Sequence, residues 1–152
     1  MKIETTRFGI IDVESDKIIT FPQGILGFPH SKRFILFPHG DKSIFWWLQS
    51  LDDEDLAFVT ISPSAICTEN YSFKIPDDVQ EMLKIKKPEQ VEVLLLVTIS
   101  DKPQKSVTVN LLGPIVINIE TRLGAQLILD PVKYPVKYPI TPAKNAPLKE
   151  AV

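Results

Sequence analysis

A run of four carboxylates, Asp52-Asp53-Glu54-Asp55, is the densest cluster of chemically capable side chains in the chain. Two of them could act as general acid and general base if their surroundings drove their pKa values apart. The run lacks the alternating ligands, the glycine and the late glutamate of a calcium-binding loop, so no metal is expected there. An acidic edge that docks a basic partner, or a solvated loop between strands, would carry the same residues. Catalysis, docking and a plain loop all stay open as interpretations.

The other reactive side chains are few and far apart in the sequence. His30 and His39 lie in loops rich in proline and glycine, with no metal-ligand spacing to each other or to the single cysteine, Cys67. Cys67 has apolar neighbours, which is typical of an inert thiol in a core. The two glycines at positions 24 and 27 are not followed by the Lys-Ser or Lys-Thr pair of a phosphate-binding loop. We expect no metal, no cofactor and no internal disulfide.

Three consecutive aromatic residues, Phe45, Trp46 and Trp47, form a second candidate site. Side chains alternate between the two faces of a strand, so Phe45 and Trp47 should face one side and Trp46 the other. One side is the core, and the other is either a second core layer or an anchor for a protein partner. Because the acidic run follows this strand directly, we expect the charges and the aromatics to share one end of the fold. Phe28, in an apolar loop, is a further candidate anchor.

The elements that must position these residues are mostly strands. Thirteen prolines divide the chain and nearly exclude long helices, and the segments between them are rich in Ile, Val, Phe and Thr. We predict a hairpin from residues 8–13 and 17–21, a strand at 71–75 and a strand buried on both faces at 91–100. Pro76, two following aspartates and a terminal Pro88 predict one helix of about ten residues. Such a series of short strands with one helix is typical of an all-β barrel or sandwich.

Length and charge limit the class of protein. The 152 residues suit one domain, which we place at residues 1–140, and the composition of residues 141–152 predicts a flexible C-terminal tail. A formal net charge of −2 argues against direct binding of nucleic acid, and the basic run Lys84-Ile85-Lys86-Lys87 fits a helix end. No apolar run approaches the roughly 18 residues that cross a membrane, and the N-terminus lacks the apolar core of a signal peptide. We expect a cytoplasmic protein with no membrane contact.

Four blocks of sequence occur in an order that resembles a known family. They are Phe21-Pro22-Gln23-Gly24-Ile25-Leu26-Gly27-Phe28-Pro29 before Lys32-Arg33-Phe34, the stretch from Phe45 to Phe58, the stretch from Asn110 to Asn118, and Thr121-Arg122-Leu123-Gly124-Ala125-Gln126 with Tyr134-Pro135 beyond it. Together they resemble the bacterial flagellar assembly factors of the FliW family over about residues 8–140. The resemblance implies a mostly antiparallel, barrel-like β fold with one short capping helix, and no enzymatic activity.

The resemblance also implies two protein partners. One is flagellin before its export, and the other is CsrA, an RNA-binding translational repressor that these proteins antagonise, which relieves repression of flagellin translation. The candidate protein-binding residues are Phe28, Phe45, Trp47, Asp52, Asp53, Glu54, Asn110 and Asn118. A small ligand-binding or hydrolytic β-barrel that uses the acidic loop, Asp52 to Asp55, with a loop histidine is the alternative.

Overall fold

The structure, a computed structural model, describes residues 1–66, 71–101 and 105–140. The first strands are β1 (Lys2–Thr5), β2 (Gly9–Asp12), β3 (Ile19–Thr20), β4 (Arg33–Pro38), β5 (Phe45–Ser50) and β6 (Ala57–Ile61). The helix α1 (Asp77–Met82) follows, and then come β7 (Val91–Ser100), β8 (Ser106–Val109), β9 (Ile115–Asn118), β10 (Leu123–Gln126) and β11 (Tyr138–Ile140). Short 3-10 turns occupy Ser15–Lys17, Pro63–Ile66 and Pro88–Gln90. Cys67 and the predicted tail at 141–152 lie outside the described residues.

Nine of these strands form one sheet, in the order β11-β8-β7-β6-β5-β4-β3-β10-β9. The long strand β7 pairs with three neighbours: its first half with β9, and its second half with β6 and β8. The pairing with β9 joins the end of the order back to β7 and gives the sheet its barrel-like form. Among the pairings of the described strands, only that of β3 with β10 is parallel. The predicted all-β, mostly antiparallel, barrel-like fold with one short helix is confirmed.

Alternation along β7 separates two packed layers. Leu94 and Leu96 belong to the cluster enclosed by the curved sheet. Val91 and Val93 point to the opposite face and pack with Leu83, directly after α1. The helix therefore covers the outer face of the sheet. The predicted burial of β7 on both faces holds only at its centre, because its ends carry partly exposed side chains.

The helix α1 is shorter than the sequence predicts. Pro76 precedes it, and Asp77 and Asp78 occupy its first turn, where the helix dipole favours negative charge. It ends at Met82 because Lys84 adopts a left-handed φ of 58°, so the lysine run forms a loop rather than the last helical turn. None of the described helices is long and apolar enough to cross a membrane.

The predicted hairpin of residues 8–13 and 17–21 is wrong. β2 pairs with β1 in a separate two-stranded sheet, with Thr5 opposite Gly9. Thr5 makes this turn: its hydroxyl donates to the Gly9 carbonyl at 2.8 Å and accepts the Phe8 N–H at 2.9 Å. The supposed turn at 14–16 starts a 3-10 turn instead, and β3 pairs with β4 and β10.

The predicted strand at 71–75 is also absent. The segment alternates between half-buried and exposed side chains, as a strand would, but no described strand pairs with it. Side chains hold it instead: the Tyr71 hydroxyl donates to the Leu111 carbonyl at 2.8 Å, and the Tyr134 hydroxyl donates to the Ser72 carbonyl at 2.7 Å.

Candidate functional site

The acidic run forms one wall of a surface cleft of about 470 Å³, which we call the acidic cleft. The loop Gly27 to Ser31 forms the other wall. Asp52, Asp53 and Glu54 line the cleft, and no described lysine or arginine does. The structure thus brings Phe28 together with all three predicted carboxylates.

Asp52 holds the two walls together. Its Oδ2 accepts the backbone N–H groups of Lys32 and Arg33, both at 2.9 Å. Its Oδ1 accepts the guanidinium Nε and Nη2 of Arg33 at 3.0 and 2.9 Å. Burial raises the pKa of Asp52, but the hydrogen bonds from Lys32 and Arg33 and the charge of Arg33 outweigh burial, so the pKa is lowered. Asp52 is therefore a bridge between loops rather than a proton donor.

Replacing Asp52 by asparagine is expected to make the fold less sensitive to acid. The pKa of Asp52 lies below its ordinary value of 3.8 in the folded protein, so the ionised carboxylate stabilises the fold above that value. This stabilisation is lost as the pH falls through the lower pKa of the folded state. Urea-unfolding free energies of wild type and Asp52→Asn should differ most near neutral pH, and the difference should shrink as the pH falls below 3.8. Glu54→Gln is the matched control, and a gap for Asp52→Asn that stays constant with pH would contradict the prediction.

The rest of the acidic run is divided between the turn and the solvent. The Ser50 hydroxyl accepts the N–H groups of Asp52 and Asp53 at 3.1 and 2.9 Å. Asp53 Oδ1 accepts the Asp55 N–H at 3.0 Å, and Asp55 accepts the Thr6 hydroxyl. The Glu54 side chain is exposed and makes no hydrogen bond with the described residues. Glu54 and the remaining oxygens of Asp53 and Asp55 are the charges of the run that a partner can reach.

His30 lines the acidic cleft, which brings a histidine next to carboxylates as the hydrolytic alternative requires. In a catalytic arrangement the base is usually held by a hydrogen bond to a group that orients it. No hydrogen bond within the described chain joins His30 to Asp52 or Asp53, and Asp52 is occupied by Arg33. The described residues also contain no group of three or more His, Cys, Asp or Glu side chains placed to hold a metal. The cleft suits the docking of a basic group better than proton transfer.

The loop beside the acidic cleft displays apolar side chains on a fixed turn. The Phe28 N–H donates to the Ile25 carbonyl at 2.7 Å, and the Leu26 N–H donates to Gln126 Oε1 at 2.9 Å. Gly24 has a φ of 71°, and a Cβ there would lie 2.8 Å from the Phe28 carbonyl oxygen, so only glycine fits. Leu26 is 56% exposed and Phe28 40% exposed. Phe28 packs edge-on against Phe58 at 5.5 Å between ring centroids.

The other two predicted aromatic anchors are buried. Phe45 is fully buried, and Trp47 lies under the rings of Phe8 and His39 at 5.2 and 5.8 Å, with the Arg7 guanidinium 4.8 Å from its ring centroid. Trp46 is the exposed member of the strand, at 39%. It stands near the start of β5, whereas the acidic run begins beyond Ser50, at the opposite end of this strand. The expectation that the aromatics and the charges share one end is therefore wrong, and Phe28 is the aromatic beside the acids.

The two predicted asparagines have structural partners. Asn118 is fully buried: its Nδ2 donates to the carbonyls of Leu83 and Lys84 at 2.9 and 3.2 Å, and its Oδ1 accepts the N–H groups of Glu120 and Thr121 at 2.9 and 3.3 Å. Asn110 is half-buried, and its Oδ1 accepts the Gly113 N–H at 2.9 Å. Asn118 therefore fastens the loop after α1 to the β9–β10 turn and presents no atom to a partner in this conformation.

The sequence missed a second groove, of about 510 Å³, which we call the lysine groove. The segment 71–75 and the loop 85–88 form its walls, and Val91 and Val93 of β7 contribute to its floor. Lys86 and Lys87 line it, and no described carboxylate does. Only residues 76–84 separate the two walls in the sequence, but the lysine run alone fits the end of a helix, so its spacing gave no reason to place it beside 71–75. The groove forms because the segment 71–75 runs beside β7 without pairing with any described strand.

The fold and these surfaces define a barrel-like β domain whose described residues form the acidic cleft and the lysine groove, two surfaces of opposite charge. The chain belongs to the FliW family: the family model described as "FliW protein" matches residues 2–140. A flagellar assembly factor FliW from Natranaerobius thermophilus is 42% identical over 140 residues, covering 92% of each chain. One from Clostridium tetani is 42% identical over 145 residues, covering 95% of this chain and 99% of the relative. A crystal structure of the flagellar assembly factor FliW superposes with a TM-score of 0.82 at 35% identity, covering 91% of this chain and 96% of that one.

Proposed function

We propose that this protein is a cytoplasmic, non-catalytic regulator of flagellar assembly that binds two proteins. It binds flagellin before export, as a chaperone does, and it antagonises CsrA, which relieves repression of flagellin translation. The observation that carries the proposal is membership of the FliW family across residues 2–140. Solved and curated relatives that carry the name flagellar assembly factor cover nearly the whole chain.

The acidic cleft supports the CsrA part of the proposal. A translational repressor that binds RNA carries a basic surface, because phosphate contacts dominate such binding. Asp53 and Glu54 offer the complementary charge, with no lysine or arginine among the described lining residues, whereas Asp52 is already paired with Arg33. Phe28 adds a partly exposed aromatic surface at the same place. A charged rim beside an apolar contact is the ordinary plan of a protein–protein interface.

Titration calorimetry with purified CsrA and with purified flagellin tests the proposed function. We expect each protein to bind, and we expect the chain to release a CsrA-bound RNA. Flagellin added to that mixture should restore the CsrA–RNA complex, because it removes the chain from CsrA. A chain that binds neither protein would overturn the proposal.

Replacing Asp53 and Glu54 by lysine is expected to slow association with CsrA by about tenfold at low salt. The charge that steers the encounter is then reversed, so added salt should speed association with the variant while it slows association with wild type. Stopped-flow association rates at several salt concentrations measure both effects. Glu14→Lys/Asp16→Lys, which makes the same charge change at exposed residues outside the cleft, is the matched control. An unchanged rate and salt slope for the cleft variant would mean that the acidic run is only a solvated turn.

A further inference from the structure

We propose that the lysine groove binds a segment of flagellin in which apolar side chains stand next to carboxylates. This inference rests on the proposed function and assigns one of its two partners to a place on the molecule. The floor and walls of the groove are apolar: Phe73, Ile75, Ile85, Val91 and Val93 are all half-buried. Among the described residues nothing covers this strip of partly exposed apolar surface, which a bound partner would remove from water.

The charge of the groove selects between the two proposed partners. Lys86 and Lys87 are exposed at its rim, and no described carboxylate lines it. A basic RNA-binding repressor would meet like charge here and opposite charge at the acidic cleft. The lysine groove and the acidic cleft have no lining residue in common, so we attribute the displacement of CsrA by flagellin to overlap of the two bound partners outside these sites. Flagellin is therefore the partner that we assign to the lysine groove, through carboxylates that pair with Lys86 and Lys87.

Buried side chains hold the backbone of the loop that carries Lys86 and Lys87. Gln90 is buried, and its Oε1 accepts the backbone N–H groups of Lys86 and Lys87 at 2.7 and 3.1 Å. Asn118 holds the Leu83 and Lys84 carbonyls at the other end of the loop. A loop fixed in this way loses little conformational freedom when a partner binds, which favours affinity. Only the lysine side chains, and not their backbone, must then be ordered.

The test compares wild type with Lys86→Glu/Lys87→Glu by titration with flagellin and, separately, with CsrA. Lys17→Glu/Lys42→Glu is the matched control, since it makes the same charge change at two exposed lysines outside the groove. Circular dichroism and urea unfolding first establish that each variant is folded. We expect the groove variant to bind flagellin about tenfold more weakly or worse, with CsrA affinity within about twofold of wild type. The control should bind both partners within about twofold of wild type.

The outcomes separate this inference from the proposed function. A wild-type chain that binds neither partner overturns the proposed function and this inference with it. A wild-type chain that binds flagellin, beside a groove variant that binds flagellin equally well, overturns the inference alone. Equal losses of flagellin and CsrA affinity in the groove variant also overturn the assignment of the groove to flagellin. If the groove variant is folded poorly, Lys86→Gln/Lys87→Gln replaces it, because this variant removes the charges without adding repulsion. Unchanged flagellin affinity in the glutamine variant would overturn the inference.

Discussion

Replacing Asn118 by alanine is expected to lower the free energy of unfolding by about 2–3 kcal/mol. The side chain is fully buried and makes four hydrogen bonds, to two carbonyls after α1 and two N–H groups of the β9–β10 turn. Its loss removes a partner from the Lys84 carbonyl and from the N–H groups of Glu120 and Thr121, while the Leu83 carbonyl keeps the Thr121 hydroxyl. Buried backbone groups without partners, or water admitted to a packed site, cost free energy. Urea unfolding monitored by tryptophan fluorescence measures the difference. Partner binding should weaken in parallel with stability, because Asn118 supports the loop but does not face a partner.

Asn110→Ala is the matched control for that substitution. Asn110 is half-buried and its Oδ1 accepts one hydrogen bond, from the Gly113 N–H. Its loss should cost about 1 kcal/mol, the typical net value of a single hydrogen bond. Equal effects of the two substitutions would contradict the structural role assigned to Asn118. A stable Asn118→Ala protein that has lost only partner binding would instead restore Asn118 as a contact residue.

Trp47→Ala is expected to cost about 3–5 kcal/mol of stability, and Trp46→Ala less than about 1 kcal/mol. Trp47 is buried beneath Phe8, His39 and Arg7, so its removal opens a cavity and unseats the link between the β1–β2 hairpin and the main sheet. Trp46 faces solvent on the other side of the same strand.

Urea unfolding of the two tryptophan variants, followed by circular dichroism because each variant lacks one fluorophore, decides between these expectations. The pair is internally controlled, because both substitutions remove the same side chain from neighbouring positions. A Trp46→Ala variant that unfolds as readily as Trp47→Ala would contradict the assigned faces of β5. Hydrogen exchange at β1 and β2 should rise in Trp47→Ala before it rises in β7, because the hairpin loses the contacts of Phe8 and Arg7 with the Trp47 ring.

The fold class was predictable because period-two alternation and proline punctuation are local signals. The apolar runs of β7 and β9 have the length and composition of buried strands. The helix α1 begins where Pro76 and the two following aspartates predict. The pairing of strands is not local. The segment 71–75 has the alternation of a strand but no partner, and β3 finds its partners at positions 33–34 and 123. The Thr5 side chain makes the first hairpin turn, which lacks the usual turn dipeptides.

The acidic cleft was predictable in part and the lysine groove was not. The carboxylate run and Phe28 were found because their residue types stand out in the sequence. A residue can contact a partner only if it is exposed, and Phe45, Trp47 and Asn118 are buried. Alternation alone placed Trp46 opposite its two neighbours but could not say which face was covered. The lysine groove depends on how the segment 71–75 and the loop 85–88 pack in the folded chain, and the spacing of residues in the sequence does not predict that packing.

The parallel contact between β3 and β10 has a consequence for how the chain becomes folded. Thr20 pairs with Leu123, and the Leu26 N–H binds a side chain 100 positions later in the sequence. Contacts of such long range require the closure of a large loop before they contribute any stability, so folding is slow compared with that of helical domains. During synthesis, Phe21 and Ile25 have no complete enclosure until the residues of β10 have left the ribosome. Chains that end before β10 lack the strand that pairs with β3, so they expose apolar residues that the finished protein encloses.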